Sequence, residues 1–318
     1  MTTRFSSTVR VYYGEGLARY GFGDDHPFGP DRLDAFGREL RRLGLDLRVE
    51  LARPVAASEE ELARFHSLSY IQRAKDLSRI GSGFLDYGDT PAFPGIFEAA
   101  CYVVGSVLDA LKYALSGPRR RAFVPIAGLH HARRDRAAGF CVFNDIGVAV
   151  ETLRQVHGLK RIAYVDIDAH HGDGVFYDFV SDPDLFIADI HEDGLYLYPG
   201  TGRLEETGTG AAQGSKLNLT MPPGADDAAF LRAWDRVEDF VRAAKPEFIL
   251  LQAGADSIGG DPIADLDFTT ECHAHAARRL CAIADELCQG RLVATGGGGY
   301  DRDNLAKAWT AVIEALLG

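Results

Sequence analysis

Residues 164–174 read YVDIDAHHGDG and continue an apolar run that starts at Ile162. Within eight residues this run changes to three carboxylates and two imidazoles, groups whose burial is costly unless they are paired or bind a metal. Asp168 and His170 are two residues apart, so in an extended backbone their side chains point to the same side. A carboxylate and an imidazole on one side form half of a metal site, and this stretch therefore indicates catalysis.

Short apolar runs alternate with amphipathic stretches over most of the chain. The runs that predict strands are 122–126, 162–165, 185–190, 248–252 and 292–295, and the stretches that predict helices are 97–115, 144–156, 228–244, 271–287 and 304–316. This alternation predicts βαβ units, and near-continuous apolarity of the strands is typical of a parallel sheet covered on both faces. Since no linker or charge block divides the chain, we predict an α/β fold with one domain over residues 1–318 and a central, mostly parallel sheet.

Polar residues follow five of the predicted strands. They are His130 and His131, the 166–174 segment, His191, Asp256 and Tyr300. In parallel α/β sheets, ligands bind at the carboxyl ends of the strands. We therefore expect reactive groups from five strands to meet at one edge of the sheet.

The composition of 46% hydrophobic and 25% charged residues is that of a soluble globular protein. No apolar run approaches the roughly 20 residues that cross a bilayer, and residues 1–5 lack the apolar core of a signal peptide, which predicts a cytoplasmic protein without a membrane partner. A formal net charge of −12 disfavours nucleic acid as a partner. This charge either attracts a cationic, lysine-rich substrate or serves solubility alone. Five cysteines without a Cys-x-x-Cys spacing argue against disulfides and thiolate metal sites.

Asp168, His170 and Asp256 are the candidate metal ligands. Three protein ligands leave a coordination position for water and substrate, which is the pattern of catalytic rather than structural zinc. Nitrogen and oxygen donors without sulfur suit Zn²⁺, with Fe²⁺, Co²⁺ or Mn²⁺ as alternatives. A single Asp-x-His would more simply cap a helix or tie a turn, but Asp256 in the same position on another strand favours a metal site.

His130 and His131 are neighbours, so their side chains are expected to diverge and not to bind one metal together. Asp166 and Asp173 are available to orient one ring each, and an imidazole held in this way can act as general base and then general acid. A pair of surface histidines is the alternative. Tyr300 follows four glycines, and its phenol can donate to the oxyanion formed when water attacks a carbonyl. A P-loop is excluded because no Gly-Lys-Ser/Thr follows those glycines.

Several blocks of the chain resemble the zinc-dependent histone deacetylase superfamily, and most closely its bacterial acetoin-utilisation branch. The matching blocks occur in family order and are 128–132 (GLHHA), 139–145 (GFCVFND), 166–174 (DIDAHHGDG), 198–202 (YPGTG), 254–256 (GAD) and 297–300 (GGGY), with 26–32 (HPFGPDR) extending the match towards the N-terminus. The resemblance implies the arginase/deacetylase fold, in which about eight strands form the sheet.

The resemblance also implies a role for individual residues. It implies one zinc ion at the three ligands chosen above, His131 oriented by Asp173 as general base and acid, His130 paired with Asp166 as support, and Tyr300 as the carbonyl-polarising donor. The substrate-binding residues that it implies are Asp89 at the rim, Gly139, Phe140, Tyr198, Ile263 and Gly298. Tyr198 replaces the more usual Phe and adds a polar edge. Arg32 is expected to line an internal product channel, and Cys141 to be a small buried neighbour.

Asp189 departs from the family pattern, because the family often has a serine there beside a structural potassium ion. A K⁺ ion is therefore a further predicted cofactor, at an altered site. His171 is expected only to bond the backbone of a neighbouring loop. The implied activity is hydrolysis of acetyl-lysine, or another short acyl-lysine, in a protein or peptide. The alternatives are an amidohydrolase acting on acetylpolyamines or other small acylated amines, an arginase-like binuclear manganese hydrolase, and a non-catalytic acetyl-lysine binder, with the oligomeric state left open.

Overall fold

A parallel β-sheet forms the centre of the protein. In the computed structural model, which describes residues 8–23 and 25–318, this sheet has eight strands. They are β1 Val9–Tyr12, β2 Glu50–Ala52, β3 Arg121–Val124, β4 Ile162–Asp166, β5 Leu185–Glu192, β6 Lys216–Met221, β7 Phe248–Gln252 and β8 Leu292–Thr295. Their spatial order is β2-β1-β3-β8-β7-β4-β5-β6 and every neighbouring pair is parallel. The α/β prediction is confirmed, and the sheet is entirely rather than mostly parallel in the described residues.

Ten α-helices cover the sheet within the same residues. They are α1 Glu15–Ala18, α2 Arg32–Arg42, α3 Glu59–Leu62, α4 Leu68–Ile80, α5 Ile96–Leu115, α6 Asp145–Gln155, α7 Asp173–Asp178, α8 Asp227–Ala244, α9 Thr270–Leu287 and α10 Arg302–Leu317. Every residue of β3, β4, β7 and β8 is buried. Because side chains alternate between the two faces of a strand, complete burial means that both faces of these strands are covered.

The sequence predicted the five central strands, β3, β4, β5, β7 and β8. It missed β1, β2 and β6, which lie towards the edges of the sheet. β2 and β6 are the outermost strands and β1 lies next to β2. β2 has three residues and none of them is buried, and β6 alternates the polar residues Lys216, Asn218 and Thr220 with apolar ones. Edge strands bury less apolar surface, so their sequences lack the continuous apolar run by which a central parallel strand is found.

The carboxyl ends of β3, β8, β7 and β4 lie at one level, and β5 passes this level and ends three residues later at Glu192. The aligned residues across β3, β8, β7, β4 and β5 are Val124, Thr295, Gln252, Asp166 and Asp189. The loops that follow β3, β8, β7 and β4 therefore start side by side. This register confirms the prediction that polar groups from five strands reach one edge of the sheet.

The start of α6 holds the loop that carries the tandem histidines. Asn144 caps this helix, and its side-chain amide donates to the carbonyl of Ala132 at 2.8 Å. The Asp145 carboxylate accepts from the two N–H groups of residues 128–129, both at 2.7 Å. The backbone N–H of Asn144 donates to Nε2 of His66 at 2.9 Å. Helix α6 thus fixes the histidine loop, and His66 fixes the start of α6.

His66 should make the stability of the fold depend on pH. Burial lowers the pKa of His66 to about 3, whereas in the unfolded chain its pKa is about 6.5. Below pH 6.5 the unfolded state therefore binds a proton that the folded state does not, and the free energy of unfolding falls as the pH is lowered. Between pH 7 and pH 5 we expect His66 alone to account for a loss of about 2 kcal/mol.

The measurement is urea denaturation of the wild type and of His66→Gln at both pH values. Glutamine keeps an acceptor for the Asn144 N–H but does not titrate, so the loss between pH 7 and pH 5 should be smaller by about 2 kcal/mol in the variant. Other titrating groups are the same in both proteins and cancel in the comparison. Equal losses in the two proteins would show that His66 is not the group responsible.

Candidate active site and metal centre

Three side chains at the carboxyl edge of the sheet form a candidate metal centre. Asp168 and His170 follow β4, and Asp256 follows β7, the strand paired with β4. All three are buried, and one ligand atom from each lies within 4.8 Å of the others. His170 Nδ1 lies 3.1 Å from Asp168 Oδ1 and 3.1 Å from Asp256 Oδ2. Among the described residues this is the single group of three or more such side chains, which leaves the binuclear manganese alternative without a second set of ligands there.

Asp168 and His170 meet for a different reason from the one expected. Strand β4 ends at Asp166, and the backbone bends through residues 168–170 instead of continuing extended. Within the bend, the His170 N–H donates to Asp168 Oδ1 at 3.0 Å. The Ala169 N–H donates to Asp256 Oδ1 at 2.9 Å. The bend therefore holds both carboxylates by backbone donors, and the i, i+2 spacing in an extended strand does not apply.

The charges of this cluster fit a bound divalent cation. Neither Asp168 nor Asp256 pairs with a lysine or arginine among the ion pairs of the described residues. Burial, and then the negative charge of Asp168, raise the pKa of Asp256 to about 7. A cation among the three ligands would relieve this repulsion and keep both carboxylates ionised. One nitrogen and two oxygen donors are a set that Zn²⁺ accepts, as other divalent transition metals do.

The tandem histidines converge, so the prediction that they diverge is wrong. His130 Nδ1 lies 2.8 Å from Asp166 Oδ2, and His131 Nδ1 lies 2.7 Å from Asp173 Oδ1. Each ring is anchored by its Nδ1 to a different carboxylate, and the two Nε2 atoms then face each other at 3.1 Å. Both pairings with the aspartates follow the pattern that the family resemblance implied.

The two imidazoles differ in charge. Burial, together with the positive charge of His130, lowers the pKa of His131 to about 4. Burial alone would also lower the pKa of His130, but the charges of Asp166 and Asp168 outweigh it and raise the value to about 10. These opposite shifts favour a neutral His131, which can accept a proton, beside a protonated His130.

Tyr300 reaches the same place from the end of β8. The glycines before it include Gly297 and Gly299, whose φ angles of 67° and 119° favour glycine over residues with a Cβ. Burial, and then the charge of Asp256, hold the pKa of Tyr300 well above its usual range. The phenol therefore stays protonated and able to donate. A small cavity of about 20 Å³ is lined by residues that include His130, His131, Asp168, His170, Gly298 and Tyr300.

A wider cavity opens outside this one. It has a volume of about 510 Å³ and is lined by Asp86, Tyr87, Gly88, Asp89, Arg136, Ala137, Ala138, Gly139 and Tyr198. The Tyr198 ring lies edge-on to His131 with centroids 5.1 Å apart, and the Phe140 ring lies edge-on to Tyr300 at 6.0 Å. Four of the candidate substrate-binding residues, Asp89, Gly139, Phe140 and Tyr198, thus lie along one path to the metal ligands.

Gly298 and Ile263 differ in their distance from this path. A Cβ at Gly298 would come within 2.0 Å of Asp256 Oδ2, so only glycine fits against the metal ligand. Its N–H donates to Asp168 Oδ2 at 2.8 Å. Ile263 is half-buried, and its N–H donates to Asp261. Neither the 20 Å³ nor the 510 Å³ cavity has Ile263 in its lining.

Two residues that support the site were not predicted from the sequence. Gln252, at the end of β7, donates from Nε2 to Asp168 Oδ2 at 2.7 Å. Asp261 accepts from the Tyr300 N–H at 2.8 Å and so fixes the backbone of the tyrosine. A glutamine at the end of a continuous apolar strand was the available signal for the first. Asp261 lies in a Gly-Asp-Pro loop whose pattern indicates a turn and nothing more.

Two further expectations concern His171 and Asp189. His171 Nδ1 lies 2.8 Å from the side-chain hydroxyl of Thr201, so the expected bond to a backbone group is wrong. Asp189 is fully buried, bonded to His191 Nδ1 at 2.7 Å and to the Gly172 N–H at 2.9 Å. Its carboxylate is thus satisfied by protein donors, and a potassium ion nearby stays a prediction.

Arg32 and Cys141 lie beneath the site. Arg32 is fully buried and donates from Nε to the Gly299 carbonyl at 2.9 Å and from Nη2 to the Gly297 carbonyl at 2.7 Å. It therefore braces the glycine run that carries Tyr300. Cys141 is buried, and burial holds the pKa of its thiol well above the usual range. A thiol that stays protonated is a poor nucleophile, which agrees with its expected role as a neighbour.

Comparison with known proteins identifies the family. The family model of the histone deacetylase domain matches residues 26–316. The chain belongs to the histone deacetylase family. It is 36% identical to the acetoin utilization protein AcuC of Bacillus subtilis, over 96% of this chain and 81% of the relative. It is 35% identical to a probable deacetylase of Archaeoglobus fulgidus, over 97% and 86%.

A solved structure agrees with this assignment. The HDA15 HD domain superposes with a TM-score of 0.88 at 27% identity, covering 98% of this chain and 90% of that one. The protein therefore has the arginase/deacetylase fold and is a deacetylase of the histone deacetylase family, whose members are typically metal-dependent. In the described residues, none of the helices is long and apolar enough to cross a membrane.

Substitution of a metal ligand should weaken metal binding, whereas substitution of an aspartate that orients a histidine should not. In Asp256→Asn a charged ligand is lost, and we expect the affinity for Zn²⁺ to fall by more than about 100-fold. Loss of a residue that only hydrogen-bonds a ligand already lowers metal affinity by about 10- to 100-fold. Asp173→Asn is the matched control, since Asp173 bonds His131 and none of the three ligands. Titration calorimetry and metal analysis should find about one ion per chain in the wild type and in Asp173→Asn. Tight Zn²⁺ binding by Asp256→Asn would contradict the assigned ligand set.

Proposed function

We propose that this deacetylase hydrolyses the amide bond of acetyl-lysine, or of another short acyl-lysine, in proteins. The observation that carries the proposal is one small cavity lined by metal ligands, by the tandem histidines and by Tyr300. These are the parts needed for hydrolysis of an amide: a metal, a proton carrier and an oxyanion donor. Zn²⁺ is the ion we propose, with Fe²⁺ and Co²⁺ as alternatives.

Asp168, His170 and Asp256 would hold the ion. A divalent cation there supplies Lewis-acid polarisation of the acyl carbonyl and lowers the pKa of a nearby water molecule. Gln252 and the Gly298 N–H, which both donate to Asp168 Oδ2, keep one carboxylate in a fixed orientation. We propose that this set of contacts determines where the acyl carbonyl is bound.

His131 is the proton carrier in this mechanism. Its Nδ1–H is held by Asp173, which leaves Nε2 unprotonated, 3.1 Å from Nε2 of His130, in a ring that lines the small cavity. Nε2 accepts a proton from the attacking water and then donates it to the leaving lysine amine. His130, as a cation paired with Asp166, stabilises the negative charge that develops beside it.

Tyr300 stabilises the oxyanion. Its phenol donates a hydrogen bond to the carbonyl oxygen as that oxygen becomes negative. Because Arg32 and Asp261 hold the carbonyl and the N–H of the peptide group between Gly299 and Tyr300, the donor is positioned before the substrate arrives. Positioning of this kind avoids the cost of reorganising the donor during the reaction.

Removing the Tyr300 hydroxyl should lower turnover without removing the metal. We expect Tyr300→Phe to reduce kcat on an acetyl-lysine peptide by a factor of about 10 or more, since one oxyanion donor is worth about 10²–10³ in other hydrolases. Metal content should stay at the wild-type value. The control is Tyr196→Phe, because Tyr196 is exposed and lies outside both cavities. Unchanged turnover in Tyr300→Phe would refute the assigned role.

A small acylated amine is the second candidate substrate. The observation in its favour is charge: the chain carries a net −12, and Asp86 and Asp89 line the mouth of the site, so a polyamine cation would be attracted. We expect kcat/KM to be higher for an acetyl-lysine peptide than for acetylated spermidine. Higher kcat/KM on the polyamine would favour the second candidate.

The size of the inner cavity should limit the acyl chain. A volume of about 20 Å³ admits little more than a methyl group unless side chains move. In a series of acetyl-, propionyl-, butyryl- and hexanoyl-lysine peptides, we expect kcat/KM to fall with chain length, and to do so with either Zn²⁺ or Fe²⁺ bound. A maximum at butyryl or hexanoyl would show that the pocket opens in solution.

A further inference from the structure

The hydroxyl of Tyr198 is an unused hydrogen-bond donor at the mouth of the site. Tyr198 is 45% exposed, lines the 510 Å³ cavity and forms no hydrogen bond within the described part of the chain. Two buried tyrosines near the site, by contrast, use their hydroxyls within the protein: Tyr20 donates to the Phe140 carbonyl at 2.7 Å, and Tyr70 donates to the Val142 carbonyl at 2.5 Å. The phenol of Tyr198 is therefore available to a bound substrate.

The same cavity supplies an acceptor at Asp89. Burial, and then the hydrogen bond with Asp86, raise the pKa of Asp89 to about 7; in its ionised form this carboxylate only accepts hydrogen bonds, whereas a phenol can donate one. A peptide group needs both, because each residue has one N–H donor and one C=O acceptor. Arg136 also lines the cavity; one of its N–H groups donates to Asp135 at 3.0 Å, and its other N–H groups are further donors at the same mouth. Asp89 and Tyr198 thus offer a matched acceptor and donor to the backbone beside an acylated lysine.

We propose that the Tyr198 hydroxyl donates a hydrogen bond to a backbone carbonyl of the peptide that flanks the acyl-lysine. Tyr198 is then a specificity-determining residue that favours a lysine within a peptide over a free acylated amine. The proposal rests on the acyl-lysine hydrolysis proposed above. Phenylalanine at this position keeps the ring against His131 and removes only the hydroxyl, so the aromatic wall and the hydrogen bond can be separated.

The test is the kinetics of the metal-loaded wild type and of Tyr198→Phe on two substrates. One is an acetyl-lysine peptide, and the other is N-butylacetamide, which has the acyl amide and alkyl chain but no flanking peptide group. On the peptide, KM should rise by about 3- to 10-fold, the value of one exposed hydrogen bond, while kcat changes by less than about 2-fold. On N-butylacetamide, kcat/KM should not change. Tyr196→Phe is the matched control on the same loop and should alter neither substrate.

Two outcomes overturn this inference. One is an unchanged peptide KM in Tyr198→Phe. The other is an equal loss on both substrates, which would mean that the phenol acts on His131 rather than on the peptide. Fluorescence titration of a labelled acetyl-lysine peptide distinguishes these from failure of the proposed function. Weaker binding by Tyr198→Phe, without turnover by either protein, would refute the hydrolysis and support the hydrogen bond.

Discussion

The site depends on one electrostatic constraint, the delivery of two buried carboxylates to the same point. Strands β4 and β7 are paired in the sheet, so the loops that carry Asp168 and Asp256 start side by side. Two like charges in a medium of low dielectric constant repel strongly. The surrounding chain stabilises the two carboxylates with hydrogen-bond donors. The Ala169 N–H, the Gln252 amide and the Gly298 N–H each bond one of the two carboxylates. Three neighbouring loops are consequently tied together before any ligand is bound.

A second constraint is distance across the sheet. β8 and β7 lie between β3 and β4, a separation of about 14 Å at the spacing of adjacent strands. The histidines that follow β3 must cross this distance to meet the carboxylates that follow β4. Their loop does so over the ends of the intervening strands: the Gly297 N–H donates to the Ala127 carbonyl at 2.7 Å, and Gln252 donates to the Gly128 carbonyl at 3.2 Å. The capping residues of α6 hold the other side of the same loop.

The sequence predicted the parts of this protein that follow from burial and from strand polarity. Continuous apolar runs predicted the central strands. Asp168, Asp256 and Tyr300 were predicted as site residues because they follow the ends of these runs. The direction of the His130 and His131 rings could not be predicted, because it is determined by which nitrogen each aspartate takes, a property of tertiary packing. The short and partly exposed β2 has no apolar run to detect. Gln252 is visible in the sequence as a polar residue at the end of an apolar strand, but its role depends on Asp168, which follows the neighbouring strand. Nothing in the sequence indicated the role of Asp261.

Arg32 joins the beginning of the chain to its end. The guanidinium is fully buried, and its bonds reach across 265 and 267 positions to the glycine run. During synthesis, the segment that contains Arg32 is made long before residues 297–299, so these carbonyl partners of the arginine are absent until that later segment has been translated. The glycine run before Tyr300 is thus held by a contact between two segments far apart in the sequence, and its geometry is set only when both segments are in place.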